Sequence, residues 1–156
     1  MARRDVLVVD DDPSMTLLLS RLLESRGLHV RAFVEPQAAL ASALEVVPSL
    51  VLTDWAMPKL GGDELARALR TRLAHRTPPL VLVTASRFVP REVEALFDAV
   101  LEKPFRLERV TRTVDALVRT APSSHMRLVR PRRRASGERD GACDPDERET
   151  DERETG

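Results

Sequence analysis

A doubly wound α/β fold, a five-stranded parallel sheet covered by helices on both faces, is predicted by three features of this 156-residue chain. Short unbroken apolar runs recur through residues 1–120. Segments of helical periodicity separate them. Acids, hydroxyls or a lysine follow directly on the runs. A run with no polar alternate marks a strand buried on both faces, since a half-exposed strand would alternate. Runs alternating with helices then imply a parallel sheet.

Taken in order, Val6-Leu7-Val8-Val9 is the first strand. Asp12 can cap the helix that follows, Pro13 suits its first turn, and Leu18/Leu22 and Leu19/Leu23 repeat at four. Gly27 is expected to stop it. Leu28 to Phe33 reads as the second strand, and Pro36 opens a helix toward Val46. Leu50-Val51-Leu52-Thr53 is the third strand, and Gly61-Gly62 leads into a helix carrying Leu65, Leu69 and Leu73. Leu80-Val81-Leu82-Val83 is the fourth strand. Pro90 begins a helix through Phe97, Val100-Leu101 marks the fifth strand, and Leu107 to Val118 forms the last helix.

Composition narrows the function. With 42% hydrophobic but only 3% aromatic residues, the core must be aliphatic. No apolar run approaches the ~18–20 residues that cross a bilayer, so membrane insertion is not expected. No secretory leader is evident, and a single cysteine, Cys143, can form neither an internal disulfide nor a zinc site alone. A cytoplasmic location is the resulting expectation. The 25 basic and 25 acidic side chains cancel, which removes any global pull toward nucleic acid.

The composition changes near Thr120. All five aromatic residues precede it, and beyond it come an arginine cluster (Arg127–Arg134), an acidic stretch and a doubled Asp-Glu-Arg-Glu-Thr pentad. Such a segment has too few apolar groups to offset its conformational entropy. The expected organisation is a folded domain at 1–120 and a disordered charged tail at 121–156.

Ligands of open α/β sheets bind beyond the carboxyl ends of the strands. Here the first strand ends in Asp10-Asp11-Asp12, the third in Asp54, the fourth in Thr84-Ala85-Ser86 and the fifth in Lys103-Pro104. Crowded carboxylates raise each other's pKa unless a cation intervenes, and Mg²⁺ suits a site with few carboxylates and several waters. With the ion present Asp54 stays ionised as a nucleophile, while an ammonium and a hydroxyl stabilise oxygens of a transferred phosphoryl group. Taken singly, each residue has a plainer explanation: Asp10 to Asp12 a helix cap, Asp54 a turn residue, Thr84 an ordinary strand residue. Lys103 resists that treatment, being one of two lysines, with Lys59, in a chain that otherwise uses arginine. Their joint placement argues for phosphoryl transfer to or from a carboxylate.

Val8-Val9-Asp10-Asp11-Asp12-Pro13, Leu52-Thr53-Asp54-Trp55-Ala56-Met57-Pro58 with Gly61-Gly62, Leu82-Val83-Thr84-Ala85 and Lys103-Pro104-Phe105 together resemble the receiver domain of bacterial two-component response regulators (the CheY-like family). The resemblance spans residues 5 to about 118 and implies the flavodoxin-like strand order 2-1-3-4-5. It further implies that Asp54 accepts a phosphoryl group from a phosphohistidine of a sensor histidine kinase or phosphotransfer protein. Asp10, Asp11, Asp54 and the backbone carbonyl of Ala56 would hold Mg²⁺. Thr84 would hydrogen-bond the phosphoryl group and move inward, Lys103 would pair with its oxygens, and Lys103-Pro104 would be cis.

The sequence also departs from the family. Val100 stands where an aromatic switch residue is usual, three positions before the lysine, and the Thr84–Lys103 segment is short. A short or displaced fourth helix is therefore expected. Ala56 and Ser86, two residues beyond Asp54 and Thr84, are small where the family tunes phosphoryl lifetime.

The reading is thus a stand-alone response regulator, not an enzyme, whose output is a phosphorylation-dependent contact with an unidentified protein. One alternative is a receiver-shaped scaffold that binds protein independently of phosphorylation. Another is a Mg²⁺-dependent phosphohydrolase using Asp54, disfavoured because Ala56 cannot transfer the proton that a haloacid-dehalogenase-like enzyme passes from that position. Nucleic-acid binding through Arg127–Arg134 is a third, and the solvated linker is preferred to it. His29, His75 and His125 neighbour no nucleophile and are read as surface residues, and Trp55 as a rim residue.

Overall fold

The computed structural model describes residues 4–120. Five strands, β1 (Asp5–Val9), β2 (His29–Phe33), β3 (Leu50–Asp54), β4 (Leu80–Thr84) and β5 (Ala99–Glu102), form one sheet in the order β2-β1-β3-β4-β5. Every pairing is parallel. The helices between and after them are α1 (Pro13–Glu24), α2 (Pro36–Glu45), α3 (Gly62–Leu73), α4 (Arg91–Glu94) and α5 (Leu107–Thr120), with a 3-10 turn at Ala74–Arg76. The expected doubly wound sheet is present, and the order is that of the flavodoxin-like fold.

Alternate strand residues feed two separate cores. Leu7, Val9, Val51, Leu80 and Leu82 face α2 and α3, where they meet Ala39, Ala43, Leu65, Leu69 and Leu73. Val6, Val8, Leu50, Leu52, Val81 and Val83 face α1 and α5, against Leu19, Leu23, Val110, Val114 and Val118. This is why the runs are uninterrupted: both parities are buried, so neither position tolerates a polar group. At roughly 25 cal/mol per Å² of apolar surface, each such Leu or Val contributes about 1.5–3 kcal/mol.

Several boundaries differ from expectation, for local reasons. In α1 the Asp12 carboxylate accepts a hydrogen bond from the Ser14 N–H at 2.9 Å, as expected of a cap. Gly27 stops the helix as expected: with φ of 79°, its N–H donates to the Glu24 carbonyl at 2.9 Å and the Leu28 N–H to Leu23 at 3.2 Å, closing the last turn of α1. Only one of its two leucine rows is core: Leu19 and Leu23 are buried, whereas Leu18 is 44% exposed. The helix expected from Pro90 through Phe97 has only four residues. Beyond Glu94 the chain tightens, with the Leu96 N–H donating to Val93 and Phe97 N–H to Glu94, each at 3.0 Å. Arg70 of α3 holds this shortened segment by donating to the Leu96 carbonyl at 2.7 Å through Nε. Its guanidinium also lies 3.6 Å from Asp98, whose carboxylate accepts from the Leu80 N–H. The tail expected at 121–156, with Cys143, His125 and Arg127–Arg134, lies outside the described residues.

Candidate functional site

The strand order reverses direction between β1 and β3, and the crevice there opens at their carboxyl ends. Asp10 follows β1 and Asp54 closes β3, so adjacent-strand spacing alone brings the two carboxylates together. Asp11 joins them: one carboxylate oxygen from each of Asp10, Asp11 and Asp54 lies within 4.8 Å of the others. Asp10 and Asp54 are buried and Asp11 is exposed, which leaves the cluster open to solvent on one side.

Lys103, following β5, spans the crevice. Its Nζ donates to Asp10 Oδ2 at 3.2 Å and to Asp54 Oδ1 at 3.0 Å. The base of that reach is pinned by the Lys103 N–H donating to the Thr84 carbonyl at 2.7 Å. The Lys103–Pro104 peptide bond is cis, as the resemblance implies. One ammonium therefore faces three carboxylates, and the surplus negative charge is the site's main electrostatic feature.

Burial pushes the Asp10 carboxyl above the usual carboxylate range, and the neighbouring Asp54 charge adds to the rise. The Asp12 N–H, donating to Asp10 Oδ1 at 2.9 Å, and the Lys103 ammonium oppose it without cancelling it. For Lys103 burial acts to lower the pKa, but its hydrogen bonds to Asp54 and Asp10 outweigh that and raise it. The donor set, three carboxylates with surplus charge, fits a small hard cation such as Mg²⁺. Ala56 lies in the exposed loop after β3, and among the described residues no hydrogen bond ends on its carbonyl.

Thr84 differs from the other four. It is buried at the end of β4, and its hydroxyl accepts from the Ser86 N–H at 3.0 Å rather than joining the carboxylates. Ser86 in turn donates from its own hydroxyl to the Phe88 carbonyl at 2.7 Å. The connection after β4 is thus tied to Thr84 through a chain of two hydrogen bonds. Among the sequence-selected residues, then, Asp10, Asp11, Asp54 and Lys103 converge, Ala56 sits on the adjoining loop, and Thr84 stands one strand away.

Sequence reasoning missed the part played by Gly62. A Cβ there would lie 2.2 Å from the Asp54 carbonyl oxygen and 3.0 Å from the Trp55 Cα. Its N–H donates to the Trp55 carbonyl at 2.9 Å, and the Trp55 N–H donates to Val83 at 3.1 Å. The start of α3 is therefore pressed against the backbone that carries Asp54. The Gly61-Gly62 pair was visible in the sequence, but only the packing distance separates a turn glycine from one required by close approach.

Comparison with known proteins agrees with this arrangement. The transcriptional regulatory protein FixJ of Bradyrhizobium diazoefficiens is 36% identical over 120 residues, which cover 74% of this chain but only 57% of FixJ's own length. Among solved structures, Vibrio cholerae chemotaxis protein CheY4 superposes with a TM-score of 0.68 at 28% identity, covering 74% of this chain and 99% of CheY4. The response regulator TrrA of Thermotoga maritima, solved with Mg²⁺ and BeF, has a TM-score of 0.68 at 25% identity, covering 73% of this chain and 98% of TrrA. The pattern of the response regulator receiver domain matches residues 6–115, and the chain belongs to that family of two-component signalling proteins.

Proposed function

We propose that Asp54 is a phosphoryl acceptor, that the reaction requires Mg²⁺, and that the resulting acyl phosphate controls a protein contact. The observation carrying this reading is the Asp10–Asp11–Asp54 cluster with the Lys103 ammonium bridging two of its members. The donor is the phosphohistidine of a sensor histidine kinase or phosphotransfer protein. An Asp54 carboxylate oxygen attacks phosphorus, the P–N bond breaks, and its electron pair returns to the imidazole nitrogen. Bound Mg²⁺, held by Asp10, Asp11, Asp54 and the Ala56 carbonyl, supplies charge neutralisation for the phosphoryl oxygens.

The chain's own groups do the remainder. Lys103 already donates to Asp54 and needs only a small shift to donate to an oxygen on it. Thr84 exchanges its bond from the Ser86 N–H for one to the phosphoryl group, which pulls on the Ser86–Phe88 connection. Ala56 offers no acid or base two residues after Asp54, so rapid hydrolysis as a phosphohydrolase has no proton-transfer group there.

A second reading, a receiver-shaped scaffold that binds protein without phosphorylation, draws on Val100 and the four-residue α4. Val100 packs against the α2–α3 core and cannot swing as an aromatic ring would. Trp55, the only tryptophan, follows Asp54 directly and separates the two. Titration with Mg²⁺ and then beryllofluoride is expected to change Trp55 fluorescence saturably in the native protein and not in Asp54→Asn. Equal responses from both proteins would remove the acceptor assignment.

A further inference from the structure

One polar side chain is shut inside the aliphatic layers beneath the crevice. Thr53 of β3 is only 1% exposed, and the residues paired with it across the sheet are Val9 of β1 and Leu82 of β4. It lies two residues from Val51, so it shares the strand face that packs on α2 and α3. Valine has the same branched shape and would bring no hydroxyl to satisfy in that layer.

The Thr53 hydroxyl donates to the carbonyl oxygen of the next residue, Asp54, at 2.9 Å. That carbonyl needs a donor. Val51 and Trp55 bond toward β4 through their N–H groups, so Asp54, at the alternate position, directs its carbonyl toward β1. The pairing of β1 with β3 ends at Val9 and Thr53, one residue too early to supply a partner. Among the described residues, only the Thr53 hydroxyl reaches the Asp54 carbonyl. From the other side Gly62 presses on the same oxygen, where a Cβ would lie 2.2 Å away. The following peptide group is tied as well, since the Trp55 carbonyl accepts from the Met57 and Gly62 N–H groups.

We infer that Thr53 is a positioning residue for phosphoryl acceptance at Asp54. A buried carbonyl left without a donor is costly, so loss of the hydroxyl turns the Asp54–Trp55 peptide toward another partner. The turn occurs at the Cα that carries the carboxylate. It disturbs the 3.0 Å contact with Lys103 Nζ and re-aims the loop through Ala56. A reacting geometry tolerates little such error. Strand propensity alone does not account for the residue, because valine would serve a strand equally well. The role in acceptance rests on the reading of Asp54 given above. The hydrogen bond does not.

The test compares, in the full chain, Thr53→Val, which keeps the shape and loses the hydroxyl, with Thr53→Ser, which keeps the hydroxyl. Intact-mass spectrometry follows modification by acetyl phosphate at saturating Mg²⁺. NMR follows the Asp54 carbonyl carbon resonance in the metal-free protein. The maximal rate is expected to fall about tenfold or more in Thr53→Val and to recover in Thr53→Ser. The acetyl phosphate concentration for half-maximal rate should change little. The carbonyl resonance should move in Thr53→Val and stay near its native position in Thr53→Ser. Circular dichroism verifies folding. If Thr53→Val does not fold, Thr53→Ala against Thr53→Ser isolates the hydroxyl in the same way. A folded Thr53→Val modified at the native rate overturns the proposal. So does a Thr53→Ser slowed equally, which assigns the effect to packing, or a slow Thr53→Val whose carbonyl resonance is unmoved. A native chain that takes up no phosphoryl group overturns the acceptor reading and this role together. Native uptake with an unaffected Thr53→Val overturns this role alone.

Discussion

The crevice between β1 and β3 and the connection from β4 to β5 are neighbours on the same sheet edge, yet they are built differently. At the crevice, two strand ends fix the positions of Asp10 and Asp54, and Lys103 bridges them at 3.2 and 3.0 Å. Between β4 and β5 the chain has a four-residue helix, held by Arg70 of α3 on the Leu96 carbonyl and by its own Asp98 carboxylate on the Leu80 N–H. The first region is placed by the sheet and the second by side-chain contacts across the fold, so strand ends fix the one and connection length shapes the other.

The largest expected effect comes from crowding the crevice. Gly62→Ala places a methyl against the Asp54 carbonyl at 2.2 Å, and overpacking against backbone should cost about 2–4 kcal/mol. Urea unfolding measures this. Gly61→Ala should cost less than about 1 kcal/mol, since its nearest neighbour is the movable Asp63 side chain. Equal losses at the two glycines would mean that close approach does not govern the loop.

The β4–β5 connection should break more locally. Arg70→Ala leaves the Leu96 carbonyl and Asp98 without their guanidinium, a loss of about 1–2 kcal/mol. Hydrogen exchange should quicken at Leu96 and Phe97 while the β1 and β3 amides keep their protection. Uniform quickening would show that the two regions are one cooperative unit.

The smallest effect has an informative sign. Asp10 has a folded-state pKa raised above 3.8, so the folded chain binds the extra proton between the two values. Stability of the metal-free protein therefore falls as pH rises through that window and stays reduced above it. Asp10→Asn should raise metal-free stability at neutral pH and flatten this slope. It should also remove the stabilisation that Mg²⁺ confers on the native protein. Lys103 acts in the same direction at higher pH: with its pKa raised above 10.5, its contribution is intact below that value and lost as pH rises through the folded one.

Much of this was legible in the sequence because it depended on period and order. Uninterrupted runs such as Val6–Val9 signalled burial on two sides, and the residues closing each run pointed to one edge of the sheet. What escaped depended on distance across the fold. The exposure of Leu18 against the burial of Leu19 follows from where α5 and the sheet lie, which a repeat at four cannot tell. The length of α4 was expected to be reduced, but its clamp by Arg70 joins residues 26 apart and leaves no periodic trace. Thr84 closes β4 at the expected strand end, but the bond its hydroxyl accepts from the Ser86 N–H is a loop contact that leaves no periodic trace.

The central claim is that Asp54 accepts a phosphoryl group, and intact-mass spectrometry after incubation with acetyl phosphate and Mg²⁺ tests it most directly. The account predicts one added phosphoryl group, abolished by chelation, by Asp54→Asn and by alkaline treatment that hydrolyses acyl phosphates. A folded protein that stays unmodified, or that is modified equally in Asp54→Asn, would contradict it.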